Sequence, residues 1–257
     1  MAGLAALAGA SAARAEPGDW IVTVGAGGIA SPPYEGAPSD SLRPNLLFNI
    51  RRADFPYRFT PPDDTGSVAL FTSRHFDFGA VLNIRRGRGD TGRLEGFRKI
   101  GWAAEPGIFV DVWPVDWLRA RADIRQGLFG HHGEVGDVGV DLIHTGHRWD
   151  MSLGPRFGYG GARYMDTYFG VTPAEALASP FLTQPYKPGA GARYVGVEAA
   201  YAYRPHPRVR ITLGAGYHRL IGQAAASPVV ALAGDRNQYS ATLSVAYSFG
   251  VHLGRRR

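Results

Sequence analysis

Apolar and polar residues alternate with a period of two along most of the chain. From Gln238 to Phe249, the positions Tyr239, Ala241, Leu243, Val245, Tyr247 and Phe249 are apolar or aromatic. Between them stand Gln238, Ser240, Thr242, Ser244, Ala246 and Ser248. Successive strand side chains point to opposite faces, so this pattern predicts a strand with one apolar and one polar face. The same alternation runs from Phe76 to Arg85, from Leu118 to Arg125, from Trp149 to Tyr159 and from Arg208 to His218. A soluble sandwich alternates too, but its strands average about 5 or 6 residues. These runs reach about 9 to 12, the length of a tilted strand crossing a bilayer. In a membrane barrel the apolar face meets lipid and the polar face lines the interior. The chain is therefore expected to be all-β, a single antiparallel up-and-down transmembrane barrel with charge inside.

Turn signals give the topology. Short connections are expected at Arg51–Asp54, Arg74–His75, Trp113–Asp116, Thr145–His147 and Arg204–Pro207. Longer ones are expected at Ser31–Ser41, Pro61–Gly66, Arg86–Lys99, Gly127–Glu134, Gly161–Arg193 and Ile221–Asn237. Outer-membrane barrels show this alternation, with short periplasmic turns and long extracellular loops. The count is about twelve strands. The third and fourth are the weakest, so ten is the alternative. Trp20, Trp113, Trp117, Trp149, Tyr203 and Phe249 fall at predicted strand ends and are expected to form an aromatic girdle at one rim. The only helix expected is short, with Thr172 as N-cap, Pro173 in the first turn and Ala174 to Ala178 following.

Composition narrows the class. Of 257 residues, 35 are Gly and 18 are Pro, which argues against a helical protein. Cys is absent, which excludes disulfides, thiolate metal sites and a cysteine nucleophile. Residues 1–15 resemble a signal peptide: an apolar, Ala-rich stretch from Ala2 to Ala13 leads to Ala13-Arg14-Ala15 and then to polar Glu16-Pro17-Gly18-Asp19. The expected division is a signal peptide over 1–15, a barrel over 16–249 and a basic periplasmic tail over 250–257. An exported barrel meets no nucleic acid, so the basic balance of +6 is not read as nucleic-acid binding.

Loop residues carry a family resemblance. They include Tyr34-Glu35-Gly36, Leu94-Glu95-Gly96-Phe97 and Glu105-Pro106-Gly107. The run from Tyr164 to Ala176 contains Tyr168-Phe169-Gly170-Val171-Thr172-Pro173-Ala174-Glu175, and Ser227-Pro228-Val229-Val230 follows later. In order and spacing these resemble the MltA-interacting protein/OmpV family of outer-membrane proteins, over essentially the mature chain. Tyr34, Gly36, Tyr168, Phe169, Gly170, Thr172, Glu175, Ser227 and Pro228 are the motif positions. The resemblance implies a non-enzymatic barrel in the outer membrane of a Gram-negative bacterium. It also implies a scaffold or anchor for murein-remodelling enzymes, with outer-membrane lipid, a lytic transglycosylase and a murein synthase as partners. A small-solute channel or a surface adhesin acting through the extracellular loops is the alternative. Barrels of this kind usually end at the terminal aromatic, whereas here Phe249 is followed by eight residues ending Arg255-Arg256-Arg257.

Candidate chemistry is sparse. Glu105, Asp111, Arg119, Arg121, Asp123, Arg125, Asp137, Asp141, Arg156, Glu198 and Arg210 fall on inward faces. They are expected to form a salt-bridged plug, because unpaired charge in a narrow lumen is costly, with a selective pore lined by opposite charges as the alternative. The His131-His132 pair and the pair His144 and His147 are assigned to opposite rims and read as solvated loop histidines, so no metal, cofactor or catalytic residue is assigned. Gly25-Ala26-Gly27-Gly28 precedes no helix and is expected to let a neighbouring strand or an inner plug approach closely.

Overall fold

The structure is a computed structural model that describes residues 20–54, 57–179 and 184–251. The expected signal peptide and residues 252–257 of the expected tail lie outside them. The strands are β1 (Trp20–Ser31), β2 (Ser41–Arg52), β3 (Ser67–Thr72), β4 (Phe76–Arg85), β5 (Ala103–Val115) and β6 (Leu118–Gln126). They continue with β7 (Leu128–Phe129), β8 (Glu134–Thr145), β9 (Trp149–Gly160), β10 (Gly191–His206), β11 (Val209–Leu220) and β12 (Asn237–Val251). Among the described residues four short α-helices interrupt the loops: α1 (Ala162–Phe169), α2 (Pro173–Ala178), α3 (Gly222–Ala226) and α4 (Pro228–Ala231).

The wall runs β2-β1-β12-β11-β10-β9-β8-β6-β5-β4-β3, every pair antiparallel, with first and last strands joined through β1 and β12. It has eleven strands, since β7 is a two-residue addition beside the start of β5. Grease faces out. Leu213, Leu243, Val245, Leu153, Val197 and Leu142 are exposed at alternate positions, while Thr212, Ser244, Ser152, Glu198 and Asp141 between them are buried. No helix among the described residues is long and apolar enough to cross a membrane. β12 continues two residues past Phe249, pairing Gly250 with Ile21 and Val251 with Trp20, so the first two residues of the expected tail belong to the wall.

Three expectations are corrected. The third strand, expected between Asp54 and Pro61, is not in the wall. Residues 57–66 form no strand, and they lie inside the barrel rather than forming the outward loop expected at Pro61–Gly66. Tyr57-Arg58-Phe59-Thr60 does alternate, but Pro61 and Pro62 have no N–H for a ladder, which disfavours a central strand. Second, Trp113 does not join the aromatic girdle. It shares its parity with inward Asp111, is 5% exposed, and packs with Phe59, Ile143, Ala200 and Ala202 in the lumen. The other girdle residues, Trp20, Trp117, Trp149, Tyr203 and Phe249, do sit at the short-turn rim, with Trp117, Trp149 and Tyr203 exposed. Third, four helices occur where one was expected. The expected one, α2, has the full capping box between Thr172 and Glu175.

Candidate functional site: a closed lumen and a periplasmic mouth

The inner segment is fastened to one side of the barrel. Arg119 on β6 donates to Asp64 at 2.5 Å and lies 3.0 Å from Asp111 on β5. Arg156 on β9 bonds Asp63 and Asp141, each at 2.7 Å. Arg125 donates to Thr65 Oγ1 at 2.8 Å, and Arg121 lies 3.2 Å from Asp111. Lower down, Arg58 pairs with Asp77 at 2.6 Å, and the Tyr57 hydroxyl donates to Asp150, which also accepts from Arg204. Strands β4 to β9 thus supply opposite charges to hold residues 57–66, and the inner segment fills the space beside them. Removing one partner of such a buried pair costs about 3–5 kcal/mol, because the other charge is stranded.

A second cluster closes the outer half. Glu105 is fully buried and accepts from Arg85 at 2.5 Å, Asn83 at 2.8 Å and His131 at 2.9 Å. Arg193 bonds Asp137 at 2.6 Å and also Glu35 of the first loop. Asp137 in turn accepts from the Tyr194 hydroxyl at 2.7 Å and from Arg125. Asp123 lies 3.1 Å from Arg125. The two guanidinium groups beside Glu35 hold its carboxyl below the usual carboxylate range, although burial acts in the opposite direction. His131 is a further correction: it is 2% exposed, bonded to Glu105 and packed edge-on to Tyr164 and Tyr168. His132 and His147 are exposed in loops, as expected, whereas His144 lies in β8, exposed and stacked on Trp149 at 4.5 Å.

Above this cluster the family-motif loops condense into a cap. Tyr164, Met165, Tyr168 and Phe169 form the buried face of α1 and pack with Leu220, Ala224 and Val230. Leu94, Phe97, Val171, Ala176 and Val229 make an adjoining cluster under Tyr34. Polar bonds tie the loops to one another. The Ser227 hydroxyl donates to Phe169 O at 2.5 Å and accepts from Val229 N, which starts α4. Pro228 follows at the first position of that helix. Arg88, 2% exposed, donates to Tyr168 O at 2.6 Å. Gly36 has φ +90°, and a Cβ there would lie 2.8 Å from Val230 Cγ2. Glu175 accepts from the Thr172 and Arg98 backbone N–H groups at 2.8 and 3.0 Å. Burial would raise its pKa, but these bonds outweigh burial and hold it below the usual value. Gly170 follows α1 with its N–H bonded to Asp166 O.

The other end is open. The inner faces of β1, β11 and β12 carry Thr23, Thr212, Ser244, Ala246 and Ser248, too small to fill the lumen. The glycines of β1 serve close approach, as expected: a Cβ at Gly27 would lie 2.1 Å from Leu243 O. A cavity of about 1100 Å³ lies along this side and reaches the short-turn rim. Six arginines (Arg51, Arg58, Arg148, Arg204, Arg208 and Arg210) and two histidines line it, against one acid, Asp64. Arg210 therefore stands apart from the ion-pair network, half-buried at 5.4 Å over the Tyr57 ring. Glu198 is also separate, 3.1 Å from His218, whose ring stacks on Tyr194.

Sequence reasoning missed Glu35, Asp63, Asp64, Arg85 and Arg193 as members of the network. Arg85 had the inward parity of Asn83 and was legible; the loop residues had no periodicity to place them. Among the described residues no cluster of His, Asp and Glu could hold a metal.

No curated protein matches the chain. Among solved structures, an outer membrane channel of Pseudomonas putida F1 aligns with a TM-score of 0.43 at 10% identity, covering 92% of this chain and 97% of that one. The outer membrane channel DcaP of Acinetobacter baumannii aligns with a TM-score of 0.38 at 9% identity, covering 90% and 96%. The family model of the MltA-interacting protein MipA matches residues 24–249, and the chain, an outer-membrane β-barrel protein, belongs to that family.

Proposed function

We propose that this protein is a closed, non-enzymatic outer-membrane anchor that holds murein-remodelling enzymes at its periplasmic mouth. The observation that carries the reading is the asymmetry of the lumen: the outer end is capped and crossed by ion pairs, while the inner end opens into a basic cavity. Ion pairs and cap packing obstruct the outer end of such a barrel, which disfavours the channel alternative. Its outer loops are packed on one another rather than extended, which disfavours an adhesin. The family description speaks of interaction with MltA, and we take a lytic transglycosylase, together with a murein synthase, as the partner class here. Short periplasmic turns alone are small for an interface that typically buries about 800 Å² per partner. The concave mouth enlarges that surface and adds positive charge to steer an acidic partner. Export by a cleaved signal peptide over residues 1–15 belongs to the same proposal.

The test is site-specific photocrosslinking in intact cells. A photoreactive side chain at Pro205 or His206, on the mouth, is expected to capture a periplasmic murein enzyme. The same probe at Leu177, 90% exposed on the outer cap, is expected to capture none. Capture only from Leu177, or from no position, overturns the anchor reading.

A further inference from the structure

The barrel wall is interrupted between β2 and β3. These strands end the hydrogen-bonded order, and both descend from the outer end toward the short-turn rim. The ascending run that would separate them is the inner segment 57–66. Bare strand edges are not left exposed in hydrocarbon, since each unsatisfied backbone group there costs several kcal/mol. A cavity of about 450 Å³ lies at this gap, within the usual size of ligand sites. Trp20, Ile50, Leu70 and Phe71 line its wall side.

The interior side is chemically different. Five arginines and two aspartates line the cavity, so it is positive overall. Arg121 is only 6% exposed, yet its Nε and Nη2 have no acceptor among the described residues. Trp113 Nε1, in the same lining, also lacks one. Leaving a buried donor unpaired costs about 1–3 kcal/mol, more when it is charged. The cavity shares Asn49, Arg51, Arg58, Thr60 and Ser67 with the basic mouth, so the two spaces adjoin.

We propose that the gap between β2 and β3 is a lateral portal that holds an anionic phospholipid of the inner leaflet. The phosphate accepts from Arg121 and Trp113, and an acyl chain crosses the gap beside Ile50, Leu70 and Phe71. One amphiphile thereby satisfies the orphan donors inside and covers the open edges outside. The site is independent of the anchor reading, because lipid retention is measured on the purified chain with no partner enzyme.

The experiment is native mass spectrometry of the full protein after equilibration with equal amounts of phosphatidylglycerol and phosphatidylethanolamine. The wild type is expected to retain one phosphatidylglycerol in preference to phosphatidylethanolamine. Arg121→Gln and Ala69→Trp, the latter at the gap edge, are each expected to lower retention at least about tenfold. Leu213→Trp, exposed on the opposite wall, is expected to leave it unchanged. Excess inorganic phosphate is expected not to displace the lipid. If Arg121→Gln fails a heat-modifiability assay for folding, Ala69→Trp decides. The proposal is overturned by a wild type without lipid, by equal retention in Ala69→Trp, by displacement with phosphate, or by a dimer joined edge to edge across the gap.

Discussion

The two ends of the barrel are built from the same alternating strands and reach opposite results. At the outer end, long side chains from both sides of the lumen meet Glu35, Glu105 and Asp137, and an apolar cap of four short helices covers them. At the inner end, β1, β11 and β12 present small residues, and a basic cavity remains. Strand pattern alone thus does not decide whether a barrel is open; side-chain volume and loop packing do. The closed end is where substitutions should be costly, and the open end is where they should be tolerated.

Glu105→Ala should have the largest effect. It strands Arg85 and His131 in a buried site, at a cost of about 3–5 kcal/mol. Urea unfolding in lipid vesicles followed by tryptophan fluorescence measures it, and an unchanged midpoint would break the contrast. Next comes Ser227→Ala, which removes the bond to Phe169 O and the N-cap of α4 for about 1–2 kcal/mol. Its readout is faster hydrogen exchange in α1 and α4 with little change in the wall strands.

A third effect depends on pH. Glu175 has a folded pKa below the ordinary value of 4.5, so its contribution to the cap is complete above about pH 4.5 and is lost as pH falls through the folded value. Hydrogen exchange of α2 should therefore accelerate on acidification. Glu175→Gln keeps the shape of the capping side chain and should flatten that dependence. The smallest effect is expected at the mouth. The Arg208 side chain makes one long hydrogen bond, 3.4 Å to the Tyr247 hydroxyl, so Arg208→Gln should change stability by no more than about 0.5 kcal/mol. The same change should weaken crosslinking from Pro205 if charge steers the partner.

Much of this was legible from period-two patterning. It located the wall strands, the lipid-facing side and most of the inward charges, because strand parity is a local property. The capping box of α2 was equally local. What parity could not show was that Tyr57-Arg58-Phe59-Thr60 stays out of the wall, since it alternates as a wall strand does; only the flanking Pro61 and Pro62 signalled otherwise. The inward position of Trp113 was available from its parity with Asp111, but its place near a strand end suggested a girdle. His131 had no signal at all. Its burial depends on Glu105 across 26 residues and on helix α1 folding over it.

Conductance across planar lipid bilayers tests the closed lumen most directly. The capped, ion-paired barrel should insert without producing stepwise current. Steady ohmic openings of the wild-type protein would contradict the account, because ion pairs and a packed cap cross the outer end.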